Sequence, residues 1–430
     1  MIASLIGTAA LLALLFVGVP LGFAMLVVGF VGYTLLRNSV AAMEMVSQQI
    51  LEIALNSEFA VLPLFILMGV FVSRSGLSDD LYECCNRWMG HLRGGLAMAT
   101  VVACGGFASV SGSSLATAAT MAKVAIPSMR KFNYSHSFAA GTVAAGGTLG
   151  MLIPPSTAMI VYGILTETDI AKLFVGGIVP GILTIIVYII VIEVVVRCAP
   201  SWGPRGDRAG WRDRFRSLLK VWGVVLLFFF IMGGIFIGAF TPSEAGGMGA
   251  VGALVFAMGR RKMSLAIFVS SLAETARITG TIFVVVFGAL VLNQFVNVAG
   301  LPRAMASLIL DQNMGTATTL LVIIAIYVLL GTIIEGLAIL FLTVPIFVPI
   351  MAALGFDLIW FGVLLIMLIE ISLITPPIGL NVFVMKSMLP EVPLVDIFIG
   401  IAPFFVGDIV RVLIVAFFPA TVLFLPSLMR

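Results

Sequence analysis

Long apolar segments separated by short polar stretches run along almost the whole chain. Roughly 20 consecutive apolar residues cross the hydrocarbon core of a bilayer as a helix, so the pattern predicts many membrane-spanning helices. The first apolar run, 2–36, is too long for one span, and Pro20 divides it into two short helices. The elements predicted after it are an interfacial helix at 41–56, a span at 58–75, an amphipathic segment at 77–93, a re-entrant hairpin at 95–130, a broken span at 134–163 and a span at 171–196.

The longest polar loop, 197–220, contains seven Lys or Arg residues and two Asp residues and divides the chain into two halves. The same order of elements returns after it. The elements predicted there are spans at 221–238 and 243–259, an amphipathic segment at 263–277, a span at 279–297, an amphipathic segment at 300–312, a hairpin at 317–351, a broken span at 357–389 and an apolar region at 394–427. We therefore predict a first repeat at 1–196, a linker at 197–220 and a second repeat at 221–430.

Two double prolines interrupt predicted spans. One lies in GGTLGMLIPPS at 146–156, and the other lies in LITPPIGLN at 373–381. Proline lacks an N–H group and disfavours helical backbone at the preceding residue, so neither helix continues through its break. In lipid, such a break is tolerated only where the freed backbone groups are buried in protein or line a polar cavity. Two matching breaks predict one transport site built from two repeats.

A nearly constant internal offset supports the two repeats. The matched positions, 222 or 224 residues apart, are Pro20 with Pro242, Gly112 with Gly336, and Pro154-Pro155 with Pro376-Pro377. The positive-inside rule places the basic loop in the cytoplasm, and an inverted first repeat then leaves only five of the 23 Lys and Arg residues off the inner side. Those five are Arg37, Lys172, Arg303, Arg430 and Arg411. The predicted fold is an all-α polytopic membrane protein with two inverted-topology repeats.

Composition agrees with this fold and excludes other classes of protein. Of the 430 residues, 61% are hydrophobic and 10% are charged, and the mean hydropathy of +1.21 is far from that of a soluble domain. The four cysteines have no metal-ligand spacing, and GTLGMLIPP lacks the GK[ST] sequence of a phosphate loop. We expect no organic cofactor, no nucleic-acid partner and a lipid bilayer as the surrounding solvent.

Small and polar residues concentrate at the two predicted hairpin tips, SVSGSS at 109–114 and GTIIEG at 331–336. Serine hydroxyls are hard oxygen ligands of the kind that Na⁺ accepts, and glycine allows close approach of the backbone. Half-helix N-termini attract anions, while C-terminal carbonyls coordinate cations. The alternative is that small residues only allow close helix packing. The alignment of the two tips favours an ion site.

Intramembrane carboxylates are a second class of candidate. Glu335 lies in the second tip, and Glu370 lies in the apolar run before the second break. Each could assist cation coupling, and Glu370 could equally be protonated or hydrogen-bonded between helices. Asp408 and Arg411, three residues apart on a helix, are expected to pair with each other. The segment 241–244 is expected to form a capping box.

The chain resembles the large membrane subunit of a tripartite ATP-independent periplasmic (TRAP) transporter. The stretches that carry the resemblance are SVSGSSLATAATMAKVAIPSM, FAAGTVAAGGTLGMLIPPSTAMIVYG, TPSEAGGMGA and LITPPIGLNVFV. The resemblance implies a sodium-coupled elevator, in which a domain containing both hairpins and both broken helices slides against a scaffold. It also implies a small four-helix membrane subunit, a periplasmic substrate-binding protein, an organic-acid substrate and a location in the bacterial inner membrane, with 197–220 in the cytoplasm.

The tips, the breaks and the resemblance together predict two groups of site residues. The sodium-binding group is Ser109, Ser111, Gly112, Ser113, Pro154, Gly331, Gly336, Thr375 and Pro376. The substrate-binding group is Thr148, Pro155, Ser156, Thr157, Glu335, Pro377 and Asn381. The second tip departs from many relatives, which have Leu-Asp or Met-Asp where this chain has Ile334-Glu335.

The leading hypothesis is sodium-driven uptake of a small carboxylate or sulfonate anion delivered by a binding protein. The alternative is a stand-alone sodium- or proton-coupled carboxylate symporter of related fold. An intramembrane enzyme would need a nucleophile–base pair or a metal cluster at membrane depth, and no His or Cys is placed for either. A channel would not need two matched broken helices. We therefore predict a transporter that is not an enzyme.

Overall fold

The structure is a computed structural model that describes residues 2–301, 304, 316–333, 336–377 and 379–429. These residues form helices and their connections, and no strand occurs among them. The helices of the first half are α1 (Ile2–Phe16), α2 (Leu21–Leu36), α3 (Ser39–Leu55), α4 (Val61–Arg74), α5 (Leu77–Met89), α6 (Gly95–Ser111), α7 (Ser114–Lys131), α8 (His136–Leu152), α9 (Thr157–Thr166) and α10 (Ile170–Cys198). A short 3₁₀ turn, Ser57–Ala60, precedes α4.

The second half repeats this order. Its helices are α11 (Trp211–Phe236), α12 (Pro242–Gly259), α13 (Leu265–Val298), α14 (Thr316–Ile333), α15 (Gly336–Ala353), α16 (Leu358–Ser372), α17 (Leu380–Met388), α18 (Leu394–Phe417) and α19 (Ala420–Leu423). Most of the predicted amphipathic segment 300–312, together with Ile334 and Glu335, lies outside the described residues.

Several helices have the length and composition of membrane spans. Among the described residues, seven qualify: Ser57–Arg74, His136–Thr166 taken through its break, Ile170–Cys198, Trp211–Phe236, Leu265–Val298, Gly336–Ala353 and Leu394–Phe417. The apolar helices Gly95–Ser111 and Leu358–Ser372 are shorter than a full span. The chain is therefore a multi-pass membrane protein that also contains half-length helices.

Helices α6, α8 and α16 form the most buried part of the molecule. Helices α8 and α16 are buried along almost their whole length. We call helices α6–α10 and α14–α18 the inner block, and helices α1–α4 and α11–α13 the outer frame. Large apolar side chains such as Val27, Phe229 and Val255 are exposed on the outer frame, as expected for surfaces that face lipid or another membrane protein.

In the outer frame, helices of one repeat pack against helices of the other repeat. Helix α2 of the first repeat packs along α13 of the second, and α12 of the second packs along α4 of the first. The α2–α13 contact needs a small residue, because a Cβ added at Gly29 would lie 2.7 Å from the backbone nitrogen of Leu292. The paired exchange agrees with the predicted inverted repeats.

Two predicted boundaries differ from the structure. The segments 263–277 and 279–297 form one continuous helix, α13, because no capping or breaking residue separates them. At the matching place in the first repeat, Asn56 accepts a hydrogen bond from the Glu58 backbone N–H and ends α3. The linker is also shorter than 197–220, because α11 already begins at Trp211.

Candidate functional site

The first hairpin turns within two residues. Helix α6 ends at Ser111, Gly112 has a left-handed φ of +60°, and α7 begins at Ser114. The Ser113 side chain caps α7 by accepting from the Ala116 backbone N–H at 3.4 Å. A Cβ at Gly112 would lie 2.6 Å from the Pro155 carbonyl oxygen, so glycine is needed both for the turn and for the approach to the first break.

The first break is tied directly to this tip. Its Pro154–Pro155 peptide bond is cis, and the chain resumes as α9 at Thr157. The Thr157 backbone N–H and hydroxyl both donate to the Gly112 carbonyl, at 3.3 and 3.1 Å. The Ser156 hydroxyl donates to the Met151 carbonyl at the end of α8. Tip and break therefore form one hydrogen-bonded junction.

The second break repeats the plan in the second half. Helix α16 ends at Ser372, the Pro376–Pro377 bond is again cis, and Gly379 caps α17 with a φ of +49°. The Thr375 hydroxyl donates to the Ile371 carbonyl at 2.6 Å. This hydrogen bond therefore joins two residues of the break's own segment, unlike the bonds from Thr157 to the first tip.

The described ends of the second tip pack on the second break. A Cβ added at Gly331 would lie 2.6 Å from Ser372 Cβ, and one added at Gly336 would lie 2.7 Å from an Ile369 methyl carbon. The predicted ligand Glu335 belongs to the undescribed centre of this tip. In both repeats, tip and break are thus brought together.

Asn381 joins the two repeats at the start of α17. Its Nδ2 donates to the Ser114 hydroxyl at 3.0 Å and to the Ala144 carbonyl at 3.0 Å. Ser114 belongs to the first hairpin, and Ala144 belongs to the first broken helix. The amide is fully buried, so these bonds fix the second break against the first hairpin.

Two predicted site residues are engaged elsewhere. The Ser109 hydroxyl donates to the Gly106 carbonyl within its own helix at 2.7 Å. The Thr148 hydroxyl donates to the Ala145 carbonyl and lies 3.4 Å from the Tyr188 hydroxyl of α10. Thr117 is not among the predicted site residues, although its hydroxyl lies 2.9 Å from that of Ser111. The only sequence signal for it was a position one helical turn into α7.

A buried charge cluster lies between α16, α10 and α18. Arg411 Nη1 donates to Glu370 Oε2 at 2.7 Å, and Arg411 Nε donates to Asp408 Oδ1 at 2.7 Å. The pairing of Asp408 with Arg411 confirms the sequence prediction. The contact between Glu370 and Arg411 is not predicted from the sequence, because 41 residues separate the two.

Ion pairs attach helix α5 to α11 and to the end of α12 in the outer frame. Lys220 Nζ lies 2.7 Å from Glu83 Oε2, and this hydrogen bond lowers the pKa of Glu83 below its usual range. Arg260 pairs with Asp80 on the same helix. At the start of α12, Thr241 and Glu244 form the predicted capping box, which is confirmed.

The geometry can be compared with known proteins. Residues 8–421 match the family model described as "Tripartite ATP-independent periplasmic transporter, DctM component". The chain belongs to this family. It is 37% identical to the C4-dicarboxylate TRAP transporter large permease protein of Pseudomonas aeruginosa, over 85% of each chain. It is 32% identical to the sialic acid TRAP transporter large permease protein of Vibrio cholerae, over 97% of each chain.

The DctM fold also has a solved structural relative. The YdaH transporter of Alcanivorax borkumensis superposes with a TM-score of 0.67 over 89% of each chain, at 14% sequence identity, which shows likeness of fold alone. Membership of the DctM family confirms that the chain is a transporter permease and not an enzyme. The sequence-based family assignment is confirmed as well.

Proposed function

We propose that this DctM chain carries out sodium-coupled uptake of a small organic acid, with sodium at the two tip–break junctions and the substrate between them. The observation that carries the proposal is the junction at Gly112, whose carbonyl is held by Thr157. The second tip and break make a matching approach, and Asn381 connects the two repeats. A two-fold arrangement of helix ends at membrane depth suits one ion–substrate site.

The sodium ligands would be carbonyls and hydroxyls. The C-terminal ends of α6 and α8 bring negative dipole ends to the first junction, where Ser111, Ser113 and Pro154 lie. Gly331, Gly336, Thr375 and Pro376 would serve the second junction in the same way. Ser109 would contribute through its carbonyl, because its hydroxyl is used within α6.

The substrate would be held by helix N-termini rather than by a charged side chain. Helices α9 and α17 begin at the two breaks, and their first N–H groups carry the positive dipole end. The relatives named for C4-dicarboxylates and for sialic acid act on carboxylic acids, so a carboxylate is the chemistry we propose. The residues proposed to line this site are Thr148, Pro155, Ser156, Thr157, Glu335, Pro377 and Asn381.

Alternating access would move the inner block against the outer frame. A Cβ added at Gly69 of α4 would lie 2.6 Å from the Ser111 carbonyl oxygen, so frame and tip meet without a side chain between them. Because no side chain projects into this contact, the inner block would slide past α4 there. The exposed apolar side chains of the frame would receive a small TRAP membrane subunit. A periplasmic binding protein would deliver the substrate, in a bacterial inner membrane with the basic linker in the cytoplasm.

The deciding experiment is uptake into proteoliposomes that contain this chain with a small TRAP membrane subunit. A panel of radiolabelled carboxylates and sulfonates is offered with and without an inward sodium gradient, and with and without the binding protein. We expect uptake only when both are present. Uptake of free substrate without the binding protein would favour a stand-alone symporter, and sodium-independent uptake would overturn the proposed ion sites.

A matched pair of variants locates the ion. Ser111→Ala removes a hydroxyl from the first tip, and we expect it to raise the sodium concentration needed for half-maximal uptake. Ser47→Ala removes an exposed hydroxyl that donates within its own helix to the Met43 carbonyl. Equal sodium dependence in the two variants would exclude the Ser111 hydroxyl as a ligand.

A further inference from the structure

The cluster of Glu370, Arg411 and Asp408 is the most deeply buried set of ionisable groups in the described chain. All three side chains are fully shielded from solvent. One guanidinium faces two carboxylates and spans them through different nitrogens. Glu370 belongs to the second broken helix, and the other two belong to α18.

The cluster extends by hydrogen bonds into the first repeat. The Tyr188 hydroxyl of α10 donates to Asp408 Oδ1 at 2.7 Å and lies 3.4 Å from the Thr148 hydroxyl of α8. Arg411 Nη1 also donates to the Thr184 hydroxyl at 3.0 Å. Because the Thr148 hydroxyl donates to the Ala145 carbonyl and the Tyr188 hydroxyl donates to Asp408, the step between these two hydroxyls is a polar contact and not a hydrogen bond. A row of polar groups in contact therefore runs from the first broken helix, through α10 and α18, to the second.

Both ends of this row lie beside a break. Thr148 is four residues before Leu152, where α8 ends, and Glu370 is two residues before Ser372, where α16 ends. Helix α18 also packs directly on α8, with the Phe404 and Phe138 rings stacked at 6.2 Å. The row thus connects the two points at which the broken helices open.

Stability alone does not account for such a cluster. Desolvating three charges costs so much that apolar replacements of the same shape often leave a protein as stable or more so. The best-attested use of a buried ionic group is to specify one arrangement of the elements it joins. Arginine suits that task because its rigid fork fixes two carboxylates at once, which a lysine ammonium cannot do.

We propose that Arg411 is a positioning residue that holds the two broken helices in register, so that both tip–break junctions form together. This assignment rests on the proposed function only for its transport readout. Glu370 and Asp408 are its two anchors, and Tyr188 carries the link to α8. Without this row of polar groups, the position of one broken helix would no longer fix the position of the other.

The test measures the register directly. Spin labels are placed at His136 and Leu358, the first residues of α8 and α16, in a background without the half-buried Cys85 and the exposed Cys198. Because Arg411→Met alone leaves two uncompensated carboxylates and risks misfolding, the main variant combines it with Glu370→Gln and Asp408→Asn. We expect this neutral triple variant to fold and to give a broader label–label distance distribution than the parent.

The transport readout follows in the same variants. We expect the triple variant to need about tenfold more sodium for half-maximal uptake, the scale of coupling between linked sites. Arg411→Lys, which keeps the charge without the fork, should be intermediate in both measurements. Glu193→Gln, which breaks an exposed ion pair with Arg197 on α10, should match the parent.

Each result either supports or overturns the assignment of Arg411 as a positioning residue. A triple variant with the parent's distance distribution and sodium dependence would overturn the proposal. If the parent itself transports without sodium, the proposed function fails, but the distance distributions still decide whether Arg411 sets the register.

Discussion

The two breaks share a sequence pattern and differ in how far protein covers them. Pro154 and Pro155 of the first break are buried, whereas Pro376 and Pro377 of the second are exposed. The first break is closed by two bonds from Thr157 to its hairpin tip. The two breaks are therefore alike in sequence and unlike in burial.

The largest loss of uptake is expected from Gly112→Ala, which adds a methyl group at the junction of the first tip and the first break. In Gly112→Ala, the new Cβ meets the Pro155 carbonyl at 2.6 Å and the residue is held at positive φ, which itself costs roughly 1–2 kcal/mol. We expect loss of uptake and a lower melting temperature in detergent. Gly18→Ala is the matched control, because Gly18 has a φ of +89° with nothing within 4 Å. Equal loss in both would assign the effect to backbone strain alone.

The next effect should come from separating the two repeats at Asn381. Asn381→Ala leaves the Ala144 carbonyl and the Ser114 hydroxyl without this donor, and an unsatisfied buried group costs about 1–3 kcal/mol. We expect reduced uptake and reduced thermal stability. Asn297→Ala removes an exposed amide that donates to Asn293 and should change neither. An unaffected Asn381→Ala protein would show that the second break does not depend on the first hairpin.

A smaller, kinetic difference should appear in the access of reagents to the two breaks. Phe383 in α17 is 47% exposed, whereas Val161, 222 positions earlier in α9, is 1% exposed. Thiol labelling of Phe383→Cys should be at least about tenfold faster than that of Val161→Cys, because the latter requires local opening. Both are made without Cys85 and Cys198. Similar rates would contradict a sealed first break.

The smallest effect is expected far from both breaks, at the Glu83–Lys220 pair. Because Lys220 lowers the pKa of Glu83, the pair stabilises the fold at neutral pH, and this contribution is lost as the pH falls through the lowered pKa. Exposed pairs contribute about 0.2–1 kcal/mol. Lys220→Met should therefore lower the melting temperature slightly at pH 7 and not in acid. The same substitution in a Glu83→Gln background should have no effect at either pH.

Structural features that depend only on neighbouring residues can be predicted from the sequence. The double prolines at 154–155 and 376–377 interrupt their helices, and the capping box at Thr241 needs only residues three apart. The predicted split of α13 is wrong, because a mixed apolar and polar pattern does not end a helix where no cap exists. The close approaches at Gly112 and the row through Arg411 join residues far apart in the chain, and no local pattern encodes such pairings.

The sequence by itself determined the membrane class, the two repeats, the breaks and the family, because apolar length, proline chemistry and motif order act locally along the chain. Only the tertiary structure decided that Asn381 bridges the repeats, that Thr148 faces Tyr188, and that the second break is the open one. Those outcomes depend on how helices pack across hundreds of residues. Packing is a property of the whole arrangement of helices, since each side chain's partners are set by elements that its own segment does not specify.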